Sequence, residues 1–111
     1  MGLRAQHSNG FCLLQVEDSR IDAAGAIAFK EAVRQASEGG HDDVLLDLSA
    51  VDFIDSSGLG AVVAVMKALG PDRRLHLAGL RPAVAKVFRL TRMDSVFTIH
   101  ATVADALKNA A

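Results

Sequence analysis

Val44-Leu45-Leu46-Asp47-Leu48-Ser49-Ala50-Val51-Asp52-Phe53-Ile54-Asp55-Ser56-Ser57-Gly58-Leu59-Gly60 is the stretch on which the fold turns. Val44 to Leu48 is a short apolar run of the kind buried on both faces of a parallel sheet. A connection from Asp52 to Ser57 follows, and a helix is predicted from about Gly58 to Leu69, closed by Gly70-Pro71. A strand that runs through a short turn into a helix is the repeating unit of a layered α/β domain.

The flanking sequence repeats that unit. Leu3 to His7 reads as a short edge strand, Ser8-Asn9-Gly10 carries the Asn-Gly signal of a tight hairpin, and Phe11 to Val16 is the returning strand. Asp22 is the expected N-cap of a helix ending near Glu38, with Phe29, Ala32, Val33 and Ala36 forming its apolar stripe. Gly39-Gly40 stops it. Leu75 to Ala78 is a further strand, and Pro82 suits the first turn of a third helix whose Val84, Val87 and Phe88 face inward. Val96 to Ile99 is the last expected strand. Thr102-Val103-Ala104-Asp105 has the spacing of a capping box, with Asp in place of Glu or Gln, and opens a C-terminal helix. The order ββαβαβαβα predicts one α/β domain over residues 1–111, a mainly parallel mixed sheet with an N-terminal antiparallel hairpin strand and about four helices.

Bulk composition narrows the function classes. Half of the 111 residues are hydrophobic and 23% are charged, a normal globular balance. Twelve basic against thirteen acidic residues give a formal net charge of -1. No basic stripe is present, so a nucleic-acid partner is not expected. Cys12 is the only cysteine and lies within Phe11-Cys12-Leu13-Leu14, which predicts a buried, hydrophobe-like thiol. No signal-peptide pattern and no apolar run near ~20 residues is seen, so neither membrane insertion nor secretion is expected and the chain reads as cytoplasmic.

The chemistry concentrates at Asp55-Ser56-Ser57-Gly58. Free backbone N–H groups and the positive end of the helix dipole favour an anion there. Asp55, Ser56 and Ser57 are all capping residues, which is more than one helix start requires. The helix adds a second oddity. Leu59, Val62, Val63 and Met66 suit core burial, while Gly60, Ala61, Ala64, Val65 and Ala68 form a second face that is small and apolar, with Lys67 the only charge. Such a face is either covered by another part of the domain or is an interaction surface.

The segment from Asp47 to Gly60 resembles the signature of STAS domains, and is most similar to bacterial anti-sigma factor antagonists, whose hallmark is D-S-[ST]-G-[LV]-G after a strand. Arg20-Ile21-Asp22, Arg81-Pro82-Ala83-Val84 and Leu90-Thr91-Arg92-Met93-Asp94-Ser95-Val96-Phe97 resemble the flanking parts of that pattern. The resemblance implies that Ser56 is phosphorylated by a partner kinase, an anti-sigma factor, which the unmodified protein binds to free the sigma factor. A metal-dependent serine phosphatase would restore the active form. The partner-binding set it implies, taken with the helix face, is Asp22, Asp55, Ser57, Gly58, Gly60, Ala61, Ala64 and Val65. Within it Ser57 is expected to cap the helix and Gly58 to allow a close backbone approach. Two departures stand out: Asp18-Ser19-Arg20 replaces a turn glycine of the family before Asp22, and Arg92 stands near another.

Enzyme readings fit less well. Ser56 lacks the G-x-S-x-G context of a hydrolase, and His7, His41, His76 and His100 have no spacing that singles one out. Gly58-Leu59-Gly60-Ala61-Val62-Val63 is an incomplete dinucleotide fingerprint, no P-loop occurs, and metal-ligand clusters are absent, so no cofactor is expected. A receiver domain would pair Asp47 with Glu17 and Asp18 but needs a lysine after a late strand, where His100-Ala101-Thr102 stands. The alternative that keeps the fold is a stand-alone STAS subunit docked constitutively on a lipid or anion transporter ATPase or another regulatory assembly.

Overall fold

A computed structural model describes residues 2–109. Its strands are β1 (Leu3–Ser8), β2 (Phe11–Val16), β3 (Arg20–Ile21), β4 (Asp43–Asp47), β5 (Phe53–Ile54), β6 (Leu75–Ala78) and β7 (Thr98–His100). The helices are α1 (Ala26–Ser37), α2 (Ser56–Leu69), α3 (Pro82–Leu90) and α4 (Val103–Lys108), with a 3-10 turn at Met93–Ser95. Five strands form one sheet in the order β1-β2-β4-β6-β7. β1 and β2 are antiparallel, and every other neighbour in that sheet is parallel. This is the expected mixed α/β fold.

Local chemistry explains the elements that match expectation. Asn9 (φ 49°) and Gly10 (φ 82°) both take the left-handed region that a two-residue hairpin turn requires. Pro82 occupies the first turn of α3, and the Thr102 hydroxyl accepts from Asp105 N at 3.0 Å to cap α4. β2 and β4 are apolar throughout because both sheet faces are covered. Cys12, Leu14, Val16, Val44 and Leu46 meet α1, α2 and α3 on one face; Phe11, Leu13 and Leu45 meet Ala106 of α4 on the other. Burial pushes the Cys12 thiol above its ordinary range, so it behaves as core.

Three features differ, besides the start of α2, which is Ser56 rather than about Gly58. Asp22 does not cap α1, which begins at Ala26 behind Gly25; Asp22 instead closes the preceding turn, accepting from Gly25 N at 3.3 Å. The last strand starts at Thr98 rather than Val96. The chain leaves α3 through Arg92 at φ 60°, a left-handed position where glycine is the easier residue, and the 3-10 turn then consumes the next residues. Phe97 consequently packs inward, edge-on to Phe88 at 5.8 Å. The third difference is an addition. β3 and β5 pair in parallel as a separate two-stranded ladder, Arg20 opposite Phe53 and Ile21 opposite Ile54. That small ladder lies against the start of α2 and shapes the site.

Candidate functional site

The site is built around the first turn of α2. Asp55 is in an extended conformation and is the N-cap: its Oδ1 accepts from Gly58 N at 2.8 Å. Its Oδ2 accepts from Ala23 N at 3.1 Å, so one carboxylate caps α2 and ties down the loop between β3 and α1. Ser57 was expected to cap; Asp55 does so instead, because its side chain reaches the third helical N–H from outside the helix. Ser56 and Ser57 are both exposed, on the first two helical positions. Neither hydroxyl forms a hydrogen bond with a described residue. Their solvent-facing position at the positive helix end suits an added anionic group.

Gly58 is buried, and the reason is internal. A Cβ there would stand 1.9 Å from the Ile21 carbonyl oxygen and 3.0 Å from Ile54 Cγ1. The close backbone approach expected at Gly58 is made by β3 of the same chain, so this buried glycine itself offers a partner no surface. Ala61 (3% exposed) and Val65 (5%) are corrected too. They belong to the core that includes Phe29 and Val33 of α1, so they are not on the outer surface. Leu59 and Val62 are buried as expected, while Val63 and Met66 are only half-buried. Of the expected small face, Gly60 and Ala68 are exposed and Ala64 is half-buried.

Gly60 is the informative residue. A Cβ built on it meets nothing within 4 Å, and its φ is not in the left-handed region. A glycine inside a helix costs about 0.5–1 kcal/mol relative to alanine. Nothing among the described residues requires that cost. Ser56 and Gly60 are four residues apart and so share one side of α2.

The loop held by Asp55 contributes a second patch. Arg20 Nε donates to Asp22 Oδ2 at 3.0 Å, and the guanidinium lies 4.1 Å from the centroid of the Phe53 ring. The Arg20 hydrogen bond, first among several influences, holds the Asp22 carboxyl below its ordinary range. Phe53 is 38% exposed, a large aromatic surface on the strand that leads into Asp55 and α2. Arg20 and Phe53 were not singled out from the sequence. They come together only through the β3–β5 ladder, which is too short to leave a periodic signal.

The groups weighed for catalysis lie apart from this turn. Asp47 is nearly buried, and its Oδ1 accepts from Ser49 N at 3.0 Å, while Glu17 pairs with Arg4 at 2.9 Å. His76 Nδ1 and His100 Nε2 approach to 3.1 Å on the α4 side of the sheet, with Asp43 Oδ2 3.4 Å from His76 Nε2. This pairing across β6 and β7 was invisible in the histidine spacing. Among the described residues, no group of three or more His, Cys, Asp or Glu could hold a metal ion. No described helix is long and apolar enough to cross a membrane.

Known proteins resemble this chain in sequence and in fold. The STAS domain model matches residues 3–106. The anti-sigma-F factor antagonist RsfB of Mycobacterium tuberculosis is 27% identical over 99 residues, covering 89% of this chain and 80% of the relative. The anti-sigma-B factor antagonist of Staphylococcus aureus is 26% identical over 81 residues, covering 72% of this chain and 75% of the relative. The crystal structure of an anti-sigma factor antagonist from Mycobacterium paratuberculosis superposes with a TM-score of 0.85 at 27% identity, over 98% of this chain and 92% of the other. With the model matched from the first strand to the last helix, this chain belongs to the STAS domain family.

Proposed function

We propose that this chain is an anti-sigma factor antagonist whose docking is switched by phosphorylation of Ser56. The unmodified form binds an anti-sigma factor that is also a serine kinase, and so releases a sigma factor in the cytoplasm. Phosphorylation ends the docking, and a metal-dependent serine phosphatase resets it. The chain itself works by binding, not catalysis.

The observation that carries this reading is the pairing of an exposed, unbonded Ser56 with a Gly60 that the fold does not need. Together they describe a helix edge on which a second backbone can lie and a hydroxyl that this backbone would cover. Ser57, Gly60, Ala64 and the Arg20–Phe53 patch supply the docking surface. Asp22 and Asp55 act by shaping the loop next to it rather than by facing the partner alone. Relatives named as anti-sigma factor antagonists support the assignment of partner class.

The physics of the switch follows from position. A phosphate adds about -1.5 to -2 charges at pH 7. On the first position of α2 the helix dipole and the free N–H groups tolerate that charge, so the domain stays folded. Under a docked partner the same charge sits beside the Asp55 carboxylate and loses its water, which opposes binding. The test is incubation with the cognate kinase and ATP, site mapping by mass spectrometry, and binding by Ser56→Ala and Ser56→Asp. Modification at Ser56, with docking lost in Ser56→Asp and kept in Ser56→Ala, is expected. Modification at Ser57 would overturn the assignment of Ser56, and a tight complex with a transporter ATPase that neither substitution disturbs would replace this reading with constitutive docking.

A further inference from the structure

His76 on β6 and His100 at the end of β7 form a cluster that the switch does not use. Ala78 is the partner of His100 across the ladder and lies two residues from His76, so both histidines share one face of the sheet. Their rings are 12° from parallel, and His76 Nδ1 is 3.1 Å from His100 Nε2. Phe11 meets the His76 ring edge-on at 4.8 Å and limits its rotation. Two imidazole nitrogens bound at ~2.0–2.1 Å to one metal ion stand about 2.8–3.4 Å apart for bond angles of roughly 90–109°. The pair therefore already has the spacing that a shared ion requires.

The outer contacts of the pair suit the same role. Asp43 Oδ2 lies 3.4 Å from His76 Nε2. A carboxylate oxygen accepts, so the His76 proton belongs on Nε2 and Nδ1 turns its lone pair toward His100. Asp43 is itself held in place, because its Oδ1 accepts from Arg74 N at 2.8 Å. A histidine ligand whose second nitrogen donates to a carboxylate is the usual outer shell of a metal site. His100 makes its one side-chain hydrogen bond to a described residue through Nε2, so its Nδ1 can take the proton that frees Nε2 for an ion.

Size and ligand type select the occupant. A hollow of about 240 Å3 beside the pair is also lined by Asn9, Asp43, Ala106 and Asn109. It is smaller than the roughly 300–1,000 Å3 of small-molecule sites, yet it has room for an ion with several waters of about 30 Å3 each. Imidazole suits zinc, nickel and copper, whereas magnesium and calcium take oxygen ligands. Two protein ligands fall short of a closed structural site, so water completes the shell. The His76 side chain is 14% exposed and His100 is half-buried, which lets an ion arrive from solvent.

We infer that the His76–His100 pair binds a divalent metal ion of the zinc, nickel and copper class, with His76 Nδ1 and His100 Nε2 as ligands and Asp43 orienting His76. The site lies on the α4 side of the sheet, opposite α2, and does not depend on the phosphorylation reading.

The test is titration of the whole chain with Zn2+ alone, at constant pH in a non-chelating buffer, read by calorimetry and by histidine ring NMR signals. Saturable binding is expected, with the His76 and His100 signals shifted and those of His7 and His41 unmoved. His76→Gln and His100→Gln should each weaken binding by at least about tenfold, and Asp43→Asn by about tenfold, with amide spectra checking that each variant is folded. Mg2+ should leave all four ring signals in place. The inference is overturned if binding does not saturate, if the His7 or His41 signals move instead, or if Mg2+ shifts the pair equally. Unmoved His76 and His100 signals would also overturn it and leave a shared proton only between the two rings. So would a folded His76→Gln or His100→Gln chain that binds Zn2+ as tightly as the unchanged one.

Discussion

Gly60→Ala separates stability from docking more cleanly than any other single change. The new methyl enters open space, since a Cβ at this position has no neighbour within 4 Å. The helix gains about 0.5–1 kcal/mol by losing glycine's backbone freedom in the unfolded chain. For a domain of this size that raises the melting temperature by roughly 2–8 °C. If a partner backbone packs against this edge, the same methyl is an overpacking defect of about 1–3 kcal/mol. The cost corresponds to a loss of affinity of roughly 5- to 150-fold. Thermal unfolding of the free chain and calorimetric titration with the anti-sigma factor kinase read the two effects independently. Gly58→Ala is the internal contrast. Its Cβ would lie 1.9 Å from the Ile21 carbonyl oxygen, so β3 must shift, and the fold itself should lose about 1–3 kcal/mol or more. Unchanged kinase affinity in Gly60→Ala, or a lowered melting temperature, would refute the argument that Gly60 is kept for a partner.

Two further outcomes follow from the same geometry. Asp55→Ala removes the α2 cap and the Ala23 bond together, so it should cost about 1–2 kcal/mol in urea unfolding and speed amide exchange in the loop before α1. Burial, only partly offset by Asp43, holds the His76 pKa below its ordinary value of 6.5. The unfolded chain therefore takes up that proton more readily, and stability is full above about pH 6.5 and declines as the pH falls through that value toward the lower folded pKa. His76→Gln should flatten that part of the stability curve, and an equal slope in both proteins would remove His76 as its source.

What the sequence made legible was what local chemistry controls. The apolar run from Val44, the Asn9-Gly10 turn, Pro82 and the Thr102 cap each act over a few residues, and each element appears where those signals put it. Asp22 misled because a residue that can cap a helix can equally close a turn, and Gly25 displaced the helix start. The side of α2 facing α1 was beyond local reasoning. Ala61 and Ala64 are the same residue type three positions apart, and only the tertiary packing of the core, which includes Phe29 and Val33, buries the first more deeply. The Arg20–Phe53 stack and the His76–His100 pair depend on strand pairings between distant segments, and leave no periodic trace. Gly58 and Gly60 were indistinguishable as letters; β3 crossing over one and not the other divides them into a residue required by the fold and one left for something outside it.

The most direct test of the central claim compares two forms of the purified chain, unmodified and fully phosphorylated at Ser56, in binding to the cognate anti-sigma factor kinase. A desolvated phosphate beside Asp55 should cost about 2–4 kcal/mol of docking energy, a loss of roughly 30- to 1,000-fold in affinity, with the fold of the free chain unchanged. Equal affinity of the two forms would contradict the account.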